Sequence, residues 1–241
     1  MGKHIVDNVT SLVTGYLPDF QNREVTNEDG WGSAMMVAPF VNVDRGSRSK
    51  EFLRRYILDI GSGFGIGVGG SRVKPAFGEE LKRELRRWYG SGVWVLGTGE
   101  VLESPDNFVE VDPDVKDAWG IPVARIHVTF GKNEEAMVKE MVARGIELIE
   151  AAGGVVTSWS TSPSFPGGQI HEQGCCRMGD DPRQFVTNRW GQCHDVPNLF
   201  PGDGSINVTS AMEAPTLTIL ALSMRNANHL VEEMRNGHLH S

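Results

Sequence analysis

Apolar positions along this chain repeat with two different periods, and the periods divide it into elements. In GEELKRELRRWYG (78–90), Leu81, Leu85 and Trp88 fall on one face of a predicted helix that Gly90 stops. NEEAMVKEMVARGIELIEAAGG (133–154) behaves the same way, with Val138, Met141, Val142 and Ile149 on one face. Asn133 is placed to cap that helix, Glu134 and Glu135 suit its positive end, and Gly153 and Gly154 close it. SGVWVLGTGEVL (91–102), NFVEVDP (107–113) and IPVARIHVTFG (121–131) alternate instead, which predicts three consecutive antiparallel strands. Short runs before them, IVDNVTSLVTGYL, AMMVAPFVNV and FLRRYILDI, read mostly as strands. After residue 158 the periodicity disappears into a loop, SWSTSPSFPGGQI, and then a long segment rich in Gly, Cys, Asp and Asn. The last pattern, APTLTILALSMRNANHLVEEM (214–234), is apolar nearly all round at its start. It predicts a buried helix opening at Pro215 and turning polar toward its end. The sum is an α+β protein: an antiparallel sheet with flanking helices.

Composition narrows the function classes. The chain has 241 residues and a net charge of −8, which argues against nucleic acid as a main partner, since phosphate binding needs a basic face. No run of eighteen apolar residues predicts a membrane span. The opening MGKHIVDNVTSLVTGYLPDF lacks the pattern of a signal peptide, so the default compartment is the cytoplasm. Three cysteines make no disulfide framework. Cys175, Cys176, Cys193 and His194, together with His171, lack the spacing that lets paired ligands grip zinc, so no metal is expected.

GSGFGIGVGG (61–70) contains a G-x-G-x-x-G match behind the apolar run YILDI. A dinucleotide turn needs a helix to open at once, so that its amides meet the pyrophosphate. Here SRVKPAFG intervenes, with Pro75 delaying the helix to about Gly78, and no acidic residue follows at the ribose position. These glycines read as a strand or bulge where something approaches closely.

Chemistry gathers later, in HEQGCCRMGDDP (171–182), NLFPGDGS (198–205) and APTLTILAL (214–222). A strand ending at Asp203-Gly204 would lead by a loop to a helix starting at Pro215, whose first amides can hold an electron-rich group. His171, on a glycine-bounded loop, could fold over that point, and histidine is the natural general base for a hydroxyl proton. Arg177 and Met178 read as braces of this loop, and Asp180-Asp181-Pro182 as a turn.

These three stretches resemble the C-terminal part of the glucose–methanol–choline (GMC) family of FAD-dependent oxidoreductases, whose pattern is roughly H-x-x-G-T-x-R-M-G, a strand ending D-G/A-S, then N-P-T-L-T. The likeness runs along the chain. MGKHIVDN is similar to the family's exit from the flavin domain, and DPDVKDAWGIPVARIHVTF to the substrate domain of its gluconate and sorbitol dehydrogenase branch. The resemblance implies a substrate-binding domain over 1–165 and, over 166–241, a strand–loop–helix returning to an FAD domain. It implies His171 as the base that takes the proton while hydride passes to flavin. It also implies FAD contacts from Asp203 and Gly204, and from Ala214, Pro215 and Thr216 at the helix start. The substrate would be a sugar, polyol or related alcohol.

Two departures follow from the comparison. The family's Rossmann half is absent from these residues, so the chain alone should hold FAD poorly. A separate FAD-binding chain would supply that half, or the product is truncated. Where the family pairs its histidine with a second His or Asn, this chain has Ala214, which can neither donate nor accept. Glu213 beside it would place a carboxylate near developing negative charge. The runner-up reading is therefore a non-catalytic partner subunit or an inactive fragment.

Overall fold

The computed structural model describes residues 1–22, 35–62 and 77–239. Among the described residues, seven strands form two antiparallel sheets. β1 (Asn8–Tyr16), β2 (Met35–Val37), β3 (Tyr56–Ser62), β4 (Gly92–Glu100) and β7 (Val155–Ser158) make a five-stranded sheet in the order β2-β3-β4-β1-β7. β5 (Phe108–Lys116) and β6 (Pro122–His127) form a separate two-stranded sheet, and Lys3 adds an antiparallel bridge to Phe108. Three helices follow the predicted ranges: α1 (Gly78–Trp88), α2 (Lys132–Ala151) and α3 (Thr216–Arg235).

Packing divides the chain into two compact units, each assembled from separated stretches. One comprises Thr10–Gly99 and Lys132–Ser164. Its core joins Val13, Tyr56, Leu58, Val93 and Val95 from the sheet to Met137, Val138, Met141, Val142 and Ile149 of α2, all buried. The predicted apolar face of α2 is thus the face that packs. β1 is covered along nearly its whole length, as befits an inner strand. α1 buries no residue completely and turns Leu81, Leu85 and Trp88 halfway inward, with the Trp88 ring edge-on to Tyr16 at 4.7 Å. The other unit comprises Met1–Val9, Glu100–Gly131 and Phe165–Ser241. It holds the β5–β6 hairpin, helix α3 and every predicted site residue.

Several expectations need correction. Asn133 does not cap α2, which starts a residue earlier; its side chain instead accepts from the Leu53 amide at 2.7 Å. The C-terminal closure is as predicted: Gly154 N donates to Ile149 O and Gly153 N to Glu150 O, with Gly153 at φ 76°. The strands at 91–102 and 107–113 are not neighbours, because β4 pairs with β3 while β5 turns back on β6. No strand ends at Asp203-Gly204: Gly204–Ile206 is a 3-10 turn capped by the Asp203 carboxylate, which accepts from the Ser205 amide. Helix α3 is not buried either. Only Asn226 is buried in it, while Leu217 and Met224 are 79% and 71% exposed.

Of the glycine run, Gly63–Gly70 lie outside the described residues, but Gly61 lies one residue before the end of β3, opposite Trp94. A Cβ at Gly61 would sit 2.2 Å from the Trp94 ring, so here the glycine serves a close approach within the sheet.

Tyr56 provides a pH test of this unit. Burial, then the nearby charge of Glu140, pushes its phenol up from 10 to about 12. The fold favours the neutral phenol, so its contribution is complete below pH 10 and is lost as pH rises toward 12. That loss is about 3 kcal/mol. Urea unfolding midpoints on either side of this window should fall with rising pH, and Tyr56→Phe should remove most of the fall. An equal fall in Tyr56→Phe would assign it to other groups.

Candidate active site

The site grows from the segment leading into β1. Val6 exchanges backbone hydrogen bonds with Gln173 (2.9 and 2.8 Å), which lays residues 4–8 antiparallel to the histidine loop. The buried Asp7 carboxylate accepts from the amides of Gln169 and His171, both at 3.2 Å. The His171 carbonyl accepts from Gln173 Nε2 at 3.2 Å. The histidine backbone is therefore gripped on both sides. Its ring is gripped as well: Nδ1 lies 2.9 Å from Asn8 Oδ1, and Asn8 is fully buried.

The same loop is stitched to the next motif. Gly174, Cys176 and Met178 donate to the carbonyls of Gly204, Ser205 and Ile206 at 3.1, 2.9 and 2.9 Å. Gln173 Oε1 accepts from Asn207 Nδ2 at 2.7 Å, a bond closed to solvent. Asp203 Oδ1 accepts from Ser205 N at 2.9 Å, so this carboxylate caps its own turn. Beyond it the chain reaches α3 through Ala214 and Pro215. Thr216 is the first helical residue; no side chain caps the helix and its first turn holds no acid. A cavity of about 290 Å³ opens at this point, lined among others by Gln173, Asn207, Ala214, Pro215 and Thr218. Asp203 does not line it. A second cavity, of about 380 Å³, is more apolar and lies against Ile5, Asp7, Phe165 and Glu172.

The structure thus brings the His171 loop to the 203–207 turn directly, and to the Ala214 region through Asn8, whose Nδ2 donates to Ala211 O at 2.6 Å. Sequence reasoning missed Asp7, Asn8, Gln173 and Asn207. Their signal was present only as polar residues inside otherwise apolar or featureless stretches, and each side chain has a partner 34 to 203 positions away.

Arg177 and Met178 brace the loop as expected. Arg177 stands 3.9 Å from Glu103 and over the Phe185 ring, and Met178 Sδ meets Arg225. Asp181 turns the chain before Pro182, its carboxyl held below the ordinary range first by the Arg183 guanidinium. The three cysteines are free, and burial raises the thiols of Cys175 and Cys193. Among the described residues no cluster of three or more metal-ligating side chains occurs, and no helix is long and apolar enough to cross a membrane.

The fold has counterparts among oxidoreductases. It superposes on a variant of formate oxidase from Aspergillus oryzae RIB40 with a TM-score of 0.64 at 15% identity, over 98% of this chain and 48% of that one. Sequence carries the assignment further. The family model for GMC oxidoreductase matches residues 103–223, and the chain belongs to that family. It is 29% identical over 235 residues to 2-methyl-1,2-propanediol dehydrogenase of Mycolicibacterium austroafricanum, which covers 95% of this chain and 41% of the relative. It is also 32% identical over 160 residues to the fructose dehydrogenase large subunit of Gluconobacter japonicus, covering 66% of this chain and 29% of that protein. The chain spans less than half the length of each of these relatives.

Proposed function

We propose that this chain forms the substrate side of an FAD-dependent site that oxidises a CH–OH group of a sugar, polyol or related alcohol. Residues 1–165 would be chiefly the substrate domain and 166–241 the segment returning to the flavin. The observation that carries this reading is the His171 ring, engaged at Nδ1 on a loop hydrogen-bonded to the turn that precedes an uncapped helix.

The residues present fit FAD. The start of α3 offers amides with no side-chain cap, suited to an electron-rich edge. Asp203, Gly204, Ala214, Pro215 and Thr216 are assigned to hold the cofactor. When bound, FAD supplies the hydride acceptor. His171 takes the hydroxyl proton at its Nε2, while Asp7 and Gln173 hold the backbone on either side of it. The flavin-binding Rossmann half lies outside these 241 residues, in a separate chain or a longer polypeptide. The exposed side chains of Leu217, Leu220, Met224 and Val231 on α3 offer it an apolar face.

Ala214 supports a second reading, a non-catalytic partner or inactive fragment. The test uses a flavin-loaded assembly: this chain joined to a Rossmann half such as that of 2-methyl-1,2-propanediol dehydrogenase. Dye reduction is followed with 2-methyl-1,2-propanediol, D-fructose and D-gluconate as probes. Ala214 is exposed and lines the cavity, which leaves room for a larger side chain. Ala214→Asn should raise turnover about tenfold or more, part of the 10²–10⁴ that a positioned acid–base group contributes. No turnover by either form, with tight association, favours the scaffold.

A further inference from the structure

We infer that Asn8 is a positioning residue that holds His171 as its Nδ1–H tautomer, leaving Nε2 as the basic nitrogen; the inference rests on the role proposed for His171. Two hydrogen bonds fix the orientation of the Asn8 amide. Ala211 O can only accept, so the Asn8 group 2.6 Å from it must be the amide nitrogen. The Asn8 oxygen therefore faces His171 Nδ1, at 2.9 Å. An amide oxygen can only accept, so Nδ1 carries the hydrogen. A neutral imidazole with its proton on Nδ1 has its free lone pair on Nε2.

The rest of the geometry makes this orientation hard to reverse. Asn8 is fully buried at the start of β1. Turning its amide over would set an NH₂ group against Nδ1 and bring the buried Asn8 oxygen against the Ala211 carbonyl, two lone pairs facing one another. The backbone of His171 cannot drift to accommodate such a flip, because Asp7 and Gln173 hold it from both sides. When Nε2 gains a proton, Nδ1–H still donates to the same oxygen, so the ring changes charge without changing partner. Asn8 thus acts through His171, and through Ala211 it ties the ring to the segment that enters α3.

Two substitutions separate this role from plain packing. Asn8→Ala and Asn8→Asp both lose the donor to Ala211, but Asn8→Asp keeps an acceptor for Nδ1–H. The readout is the ring nitrogen spectrum of His171, by long-range ¹H–¹⁵N correlation on the chain itself at a pH where the ring is neutral, assigned with His171→Gln. Wild type and Asn8→Asp should show Nδ1–H, and Asn8→Ala should shift the population to Nε2–H. An Nε2–H ring in wild type, an unchanged Asn8→Ala, or an Asn8→Asp that matches Asn8→Ala would each overturn the inference. In the flavin-loaded assembly, Asn8→Ala should lower kcat roughly 10–100-fold, the scale for partners that fix an imidazole, with KM little moved and Asn8→Asp recovering part of the loss. Failure of the underlying reading looks different: His171→Gln would keep full turnover while the tautomer pattern stood as stated.

Discussion

Replacing His171 with alanine is expected to lower alcohol oxidation by the flavin-loaded assembly about 10²–10⁴-fold, the range for a positioned general base. The loss should fall on kcat, since the side chain acts on the hydroxyl proton and contributes little to holding the substrate. The fold should survive the change. The two amides that bind Asp7 and the carbonyl that binds Gln173 Nε2 belong to backbone, and all three remain in the variant. Only the ring's bond to Asn8 disappears, which leaves one buried amide oxygen with a partner fewer, at a cost of about 1–3 kcal/mol. Circular dichroism and a melting curve beside the kinetics would show that the activity is lost from a folded chain. A melt lowered out of proportion to that bond would make the histidine a structural residue.

The second large effect lies at Gly174, three residues after His171, and it is a loss of stability. Gly174 has φ 93°, and a Cβ there would come 2.1 Å from the backbone oxygen of His4. The atom in the way is main chain, which cannot rotate aside. Residues 4–6 are themselves tied down: Val6 pairs with Gln173, and the Ile5 amide donates to Asn107 O at 3.1 Å. Gly174→Ala must therefore adopt a left-handed conformation, costing roughly 1–3 kcal/mol, and also push two paired segments apart. The total should reach about 3 kcal/mol or more, read as a fall in the urea midpoint with an unchanged slope. Because Gly174 N also binds Gly204 O, the variant should loosen the join between the histidine loop and the 203–207 turn. Gly78→Ala is the control: φ is positive there too, but nothing lies within 4 Å of the added carbon. Equal losses at both positions would locate the effect in φ alone.

Periodicity made the helices legible, because each spans at least three turns and its apolar spacing repeats. The core face of α2 was readable residue by residue, and all four predicted positions are buried. Strand existence was readable too; partnership was not. Alternation at 91–102 and 107–113 says that each segment has two faces, but nothing in it says that β4 pairs with β3, some thirty residues earlier. The burial of α3 was misread for a related reason. An apolar helix is a statement about what eventually covers it, and within these residues Leu217 and Met224 are left uncovered.

The site divides the same way. His171 stood out through its place in HEQGCCRMGDDP, the stretch that carries the family resemblance; a lone histidine would not have. Asp7, Asn8, Gln173 and Asn207 did not, since a buried amide or carboxylate shows its role only through partners far away in sequence. Asp203 was seen correctly as a residue at a structural boundary, but the boundary is a capped 3-10 turn and no strand. An Asx-type cap and a strand end draw on the same residue types, Asp, Gly and Ser, so composition could not separate them.

The role proposed for His171 is to remove the proton from an alcohol whose hydride leaves for FAD. The most direct measurement is the rate of flavin bleaching in a single anaerobic turnover, comparing the flavin-loaded assembly with its His171→Ala variant on 2-methyl-1,2-propanediol. Bleaching in the wild type that slows at least 100-fold in the variant, on the scale of a lost general base, is the predicted result. Equal rates in the two proteins would contradict it.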